Sequence, residues 1–239
     1  MSIEEIRDKI HTLQYGDCNP TDMLQEICGV FLRHFCIEAC GWVIWPQEVE
    51  AYCYCQRNPD LFVHRNILQK NRFGYLYVHR HPDNPENNKG KNTPKGRAGI
   101  DVCLSDNDDM YFGMLIRSAI ATNNKITFQA QGPYALYREL KKGHGPDFFK
   151  EIESSFALKE WSERKGYVFF SPRIGLPEGR DDIYVNKNLR AVIAESLVGT
   201  HFRMKEELFK GMNIPFEDKK AIAGSILGYT PAECELPKS

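Results

Sequence analysis

Between Ala39 and Gln129 the chain passes through a succession of short apolar segments: Ala39 to Trp45, Val49 to Cys55, Gly74 to His79, Gly99 to Leu104, Tyr111 to Ser118 and Ile126 to Gln129. Most are divided by Gly, Pro, Asn or Asp, and segments of this length and composition read as strands. Few helices separate them, whereas parallel strands need long crossovers. The expectation is an α+β fold, a single domain with a curved, mainly antiparallel sheet forming a barrel-like roll packed by helices.

Helical periodicity flanks this core. Thr21 to Phe35 carries Met23, Ile27, Val30, Phe31 and His34 near helical spacing, with Asn19 or Thr21 as the cap, and should pack on the sheet. Tyr134 to Lys142 reads as a helix with Pro133 in its first turn and Gly143 past its end, and its opening amides suit a phosphate. A further helix is expected from Pro146 to about Leu158, then strands near Tyr167 to Phe170 and Leu189 to Ile193. The domain is expected to span 1–239, with helical additions at 1–38 and 200–239.

No apolar run reaches the length of a membrane span, and the first residues, Met1-Ser2-Ile3-Glu4-Glu5, lack a signal-peptide pattern. An intracellular protein is expected. On that reading the cysteines are reduced and buried rather than bridged. Cys53-Tyr54-Cys55 is too tightly spaced for a zinc knuckle and no second pair at ligand spacing follows it, so no metal and no cofactor are expected.

The formal net charge of −1 argues against a surface wrapped in nucleic acid throughout. Charge is unevenly distributed, however. Arg65, Lys70, Arg72, Arg80, Lys89, Lys91, Lys95 and Arg97 face only Asp83 and Glu86 between His64 and Arg97. This stretch is either a solvated loop or a phosphate-binding stripe. Within it, 81–96 has three prolines and no large apolar residue, as expected of a long mobile loop between strands.

The candidate chemistry centres on Glu48-Val49-Glu50-Ala51-Tyr52. Alternation in an extended segment puts Glu48, Glu50 and Tyr52 on one face, with Val49 and Ala51 turned to the packing side. A glutamate on a strand is most often simply solvated. Set against an apolar and aromatic wall, Glu50 becomes a candidate general base.

Several pieces in order resemble the alkyladenine (3-methylpurine) DNA glycosylase family. Glu48-Val49-Glu50-Ala51-Tyr52 is similar to its catalytic E-A-Y strand, and Gly74-Tyr75-Leu76-Tyr77-Val78-His79 to the strand that follows. Gly113-Met114-Leu115-Ile116-Arg117-Ser118-Ala119, Gln131-Gly132-Pro133-Tyr134-Ala135-Leu136, and Ser171-Pro172-Arg173-Ile174-Gly175 with Leu189-Arg190 resemble its later elements. The resemblance implies that Glu50 activates water against the sugar carbon bearing a damaged base. It further implies that His64 helps to hold that water, Tyr52 stacks on the flipped base, and Arg117 approaches both the water and the nucleotide's phosphate. DNA is the implied partner, with backbone contacts from Arg65, Lys70, Arg72, Lys89, Lys91, Lys95 and Arg97.

The chain also departs from the family pattern. His79 stands at the second stacking position. No wedge aromatic occurs in the Pro- and Asn-rich loop, and the position that discriminates against guanine's exocyclic amine is Cys103, or Asp101 if the register slips by two. Tyr134-Ala135 replaces a basic helix start. Two further readings follow: a non-catalytic binding module for a modified base, nucleotide or single-stranded nucleic acid, and hydrolysis directed at RNA, single strands or free nucleosides. Oligomeric state is not legible.

Overall fold

In the computed structural model, which describes residues 2–80, 98–176 and 182–194, the chain begins with two helices whose starts are written in the sequence. Ser2 and Glu5 form a reciprocal capping box ahead of α1 (Ile3–Tyr15), which buries Ile6, Ile10 and Leu13. Asn19 accepts from the Thr21 amide at 2.9 Å and Pro20 occupies the first turn of α2 (Pro20–His34). The buried face of α2, including Leu24, Ile27, Cys28, Phe31 and Leu32, packs on the sheet as expected.

The helix passes directly into β1 (Phe35–Ala39), which turns through Cys40 and Gly41 into β2 (Trp42–Cys55). Their φ values of 50° and 76° are the pair a tight hairpin requires. The expected strand from Ala39 to Trp45 is therefore corrected: it is the end of one strand, a turn and the start of the next. The expected break between Trp45 and Val49 is also absent. Pro46 lies at an irregularity in a continuous strand, where its missing N–H is tolerated.

β2 is the hub of the sheet. One edge pairs along its length with β6 (Tyr111–Thr122), and the other carries β1, β10 (Arg190–Ala194) and the two-residue β3 (Asn58–Pro59), every pairing antiparallel. Beyond lie β4 (Leu76–His79), β5 (Gly99–Cys103), β6 (Tyr111–Thr122) and β7 (Thr127–Gln131), in the order β4-β5-β6-β2-β1, with β7 on β6. Next come α3 (Pro133–Leu140), α4 (Phe148–Glu153), β8 (Leu158–Glu160) on β1, β9 (Tyr167–Ser171), α5 (Asp182–Val185) and β10 (Arg190–Ala194), which joins β9 to β2. The fold is thus α+β with a curled antiparallel sheet. α4 is shorter than expected because the chain from Ala157 onward is drawn into backbone pairing: Ala157 accepts from Glu38, and Leu158 to Glu160 pair with β1. The 81–96 loop and the helices expected at 200–239 lie outside the described residues.

No helix among the described residues is long and apolar enough to cross a membrane. One face of the sheet, with Val49, Ala51, Cys53, Met114 and Ile116, belongs to the hydrophobic core. The opposite face is free for polar side chains.

Gly74 marks a close approach just before β4. Its φ is +80°, and a Cβ there would overlap the Phe156 ring. Gly74→Ala is expected to lower stability by more than about 1 kcal/mol, read as a reduced urea midpoint with unchanged m-value. An unaltered midpoint would show that this contact does not constrain the fold.

Candidate active site

The site is built by two offsets in the β2–β6 ladder. Pro46 pairs with Ala119 and Glu48 with Ser118, leaving Gln47 extra on β2; Val49 then pairs with Ile116, leaving Arg117 extra on β6. Bulged residues re-aim their side chains. Arg117 accordingly reaches both acidic residues of β2, with Nε 3.1 Å from Glu48 Oε1 and Nη1 3.1 Å from Glu50 Oε1.

Alternation does put Glu48, Glu50 and Tyr52 together. The Tyr52 hydroxyl donates to Glu50 Oε2 at 2.9 Å, and the Ile174 amide donates to Glu50 Oε1 at 2.9 Å. Arg190 Nε donates to Glu48 Oε1 at 2.6 Å, so two carboxylates and two guanidinium groups share one cluster, of which only Arg117 is half-buried rather than buried. Burial alone would lower the Arg117 pKa, but Glu50 and Glu48 outweigh it and hold the guanidinium above its ordinary value. Burial, followed by the Glu50 carboxylate, drives the Tyr52 phenol well above 10, so its hydroxyl keeps its proton.

In front of this cluster opens a cavity of about 760 Å³, within the range of sites for small organic ligands. Tyr52, His64, His79, Asp101 and Arg117 all line it. Glu50 does not. It is 0% exposed, and the three residues that bond it, Tyr52, Arg117 and Ile174, form the wall between it and the cavity. Its surroundings are polar donors rather than the apolar wall expected.

His64 is expected beside Glu50 but meets His79 instead, edge to face at 5.1 Å between ring centroids. His79 is buried, with Nδ1 3.1 Å from Asp101 Oδ1. Protein mass around His64, then the neighbouring His79, lower its pKa from 6.5 to about 4. His64 is exposed at the cavity mouth and stands there as a neutral imidazole at pH 7. A depressed histidine means that the unfolded chain binds more protons as pH falls through 6.5. His64 therefore favours the folded state fully above pH 6.5 and progressively less toward pH 4. Its ring protons, followed by NMR, are expected to titrate with a midpoint below 6.5; a midpoint at or above 6.5 would contradict this environment.

Asp101 and Cys103 share a strand face, but only Asp101 reaches the cavity. Cys103 Sγ turns to the Leu68 carbonyl at 3.0 Å, and burial pushes its thiol far up, which removes it as a contact to a ligand. Among the basic candidates, Arg65 lies over the Tyr54 ring at 3.8 Å and Lys70 over Tyr111 at 4.6 Å. Arg72 donates to the Glu153 carbonyl and covers Tyr75 at 4.9 Å. Lys89, Lys91, Lys95 and Arg97 lie outside the described residues. The start of α3, from Gly132 to Ala135, forms part of the cavity rim.

Several participants were not assigned roles from sequence. Glu48 and Arg190 fix Arg117, and Asp60 binds Arg173 through two contacts, 2.6 and 3.2 Å, with both side chains fully buried. Arg173 also lies over the Tyr52 ring at 4.4 Å, occupying one of its faces. Its presence in the Ser-Pro-Arg-Ile-Gly segment was a signal; nothing near Asp60 pointed to it. The chain matches no model of a known protein family, and a search of curated proteins found no match to it.

Proposed function

We propose that this protein hydrolyses the N-glycosidic bond of a damaged or modified purine in DNA, extruding the nucleotide from the helix into the cavity. The observation that carries this reading is the Glu50 carboxylate held one hydrogen bond behind the wall of a cavity lined by Tyr52, His64, His79 and Arg117. In the reaction, water adds to the sugar C1′ while the C1′–N9 bond breaks and its electron pair leaves with the base. The Tyr52 hydroxyl passes its proton to Glu50 Oε2 and takes one from the water, so that the buried carboxylate acts as base through a relay. Positive charge building on the sugar is stabilised by the same carboxylate. A neutral His64 is a poor acid, which suits an alkylated, cationic base that departs without being protonated.

A second reading has its own support. Glu50 is fully buried and accepts from three donors, as a structural carboxylate does, and a protein of this shape would bind a modified base or single-stranded nucleic acid without turnover. Duplex and single-stranded oligonucleotides carrying hypoxanthine, 1,N6-ethenoadenine, 3-methyladenine or an N7-alkylated guanine separate the two. Abasic product is expected; binding without product on every substrate would sink the hydrolase and leave the binding module.

A further inference from the structure

One end of the cavity carries a hydrogen-bonding pattern that the proposed hydrolysis does not use. Asp101 on β5 is buried at the cavity wall, with Oδ1 engaged by His79 Nδ1. A carboxylate has about four lone-pair sites, so that contact leaves both oxygens able to accept again. Gln69 is buried at the same wall, and its Oε1 accepts from the Asn66 amide at 3.2 Å, which leaves Nε2 as its donor.

Gln69 Nε2 and Asp101 Oδ2 meet over Gly113 on β6. A Cβ at Gly113 would lie 2.8 Å from the first and 3.0 Å from the second, so the missing side chain makes their juxtaposition possible. With Oδ1 turned to His79 and Oδ2 beside Nε2 above Gly113, the groups on offer are two acceptors followed by a donor. The complementary order is donor, donor, acceptor. Guanine supplies it with its 2-amino group, N1–H and O6. Adenine would set the N1 lone pair against the carboxylate, and hypoxanthine lacks the first donor.

We infer that Asp101 and Gln69 determine specificity, selecting a 2-amino-6-oxopurine, a base of the guanine type, over adenine. The inference rests on the reading of the cavity as a purine site. A buried carboxylate left facing an acceptor loses its solvation without recovering a hydrogen bond, which is why the discrimination should be large.

The test is calorimetric titration of the full chain with deoxyguanosine, deoxyinosine, 1-methyldeoxyguanosine and deoxyadenosine. Deoxyguanosine is expected to bind about tenfold or more tightly than deoxyadenosine, with deoxyinosine between them and the preference lost on N1 methylation. Asp101→Asn, similar in shape but with a donor in place of one acceptor, should erase the preference. Gly113→Ala, whose methyl displaces the Gln69 amide, should weaken deoxyguanosine selectively. The ligand series on the unaltered chain decides the matter even where a variant misfolds. Equal affinity for deoxyguanosine and its N1-methyl form would overturn the edge selection while leaving a purine cavity. Failure to bind any of the four would overturn the purine reading, and this inference with it.

Discussion

Glu50→Gln is expected to slow base release by about 10²–10⁴-fold, the usual contribution of a general base, while oligonucleotide binding persists. The amide keeps the shape of the carboxylate and can still accept from Tyr52 or Ile174, which donate to it at 2.9 Å in the native protein. It cannot take up a proton from the relay. Arg117 loses one charged partner but retains Glu48 at 3.1 Å, so the floor of the site should stay assembled. Single-turnover release of base, with melting temperature and oligonucleotide affinity measured alongside, separates chemistry from folding. Tyr52→Phe should also slow release, because it cuts the relay and leaves the carboxylate intact. Turnover by Glu50→Gln at the native rate would end the hydrolytic assignment of this residue.

Asp60→Ala is expected to destabilise the fold by about 3–5 kcal/mol, the penalty for leaving one member of a buried ion pair uncompensated. Arg173 would remain fully buried with its charge. Its remaining acceptors would be the Ala51 carbonyl at 3.1 Å and, at 3.4 Å, that of Tyr184. Neither carries a compensating charge. Urea denaturation gives the loss, and the paired replacement Asp60→Leu with Arg173→Met is expected to recover much of it, since apolar side chains carry no desolvation penalty there. If the double variant is as unstable as Asp60→Ala, packing rather than charge explains the effect. The consequence extends to the site, because Arg173 covers Tyr52 and precedes Ile174, whose amide holds Glu50.

The two hairpin strands around Cys40-Gly41 illustrate how far local patterns carry. Apolar character along Ala39 to Trp45 was legible, but the turn inside it depends on two consecutive left-handed residues, and only Gly41 advertised that conformation. In the same way Pro46 suggested a strand end where the structure has an irregular but continuous strand, because neighbouring pairs hold the chain in register across the defect. Asp101 and Cys103 were equivalent by alternation. Which of them faces the cavity depended on where Leu68 and His79 are brought, and no local rule supplies that.

What the sequence determined by itself were the properties of short range: the cap at Asn19, the helix behind Pro133, the antiparallel succession of strands, and the shared face of Glu48, Glu50 and Tyr52. Each follows from a backbone period or a turn preference acting over a few residues. Tertiary structure alone decided that Arg117 reaches both glutamates, that Arg173 and Asp60 neutralise one another across 113 positions, and that Gln69 and Asp101 share the gap above Gly113. Those contacts depend on ladder register and on a missing side chain, and a one-residue slip in a strand would turn every one of its side chains to the opposite face.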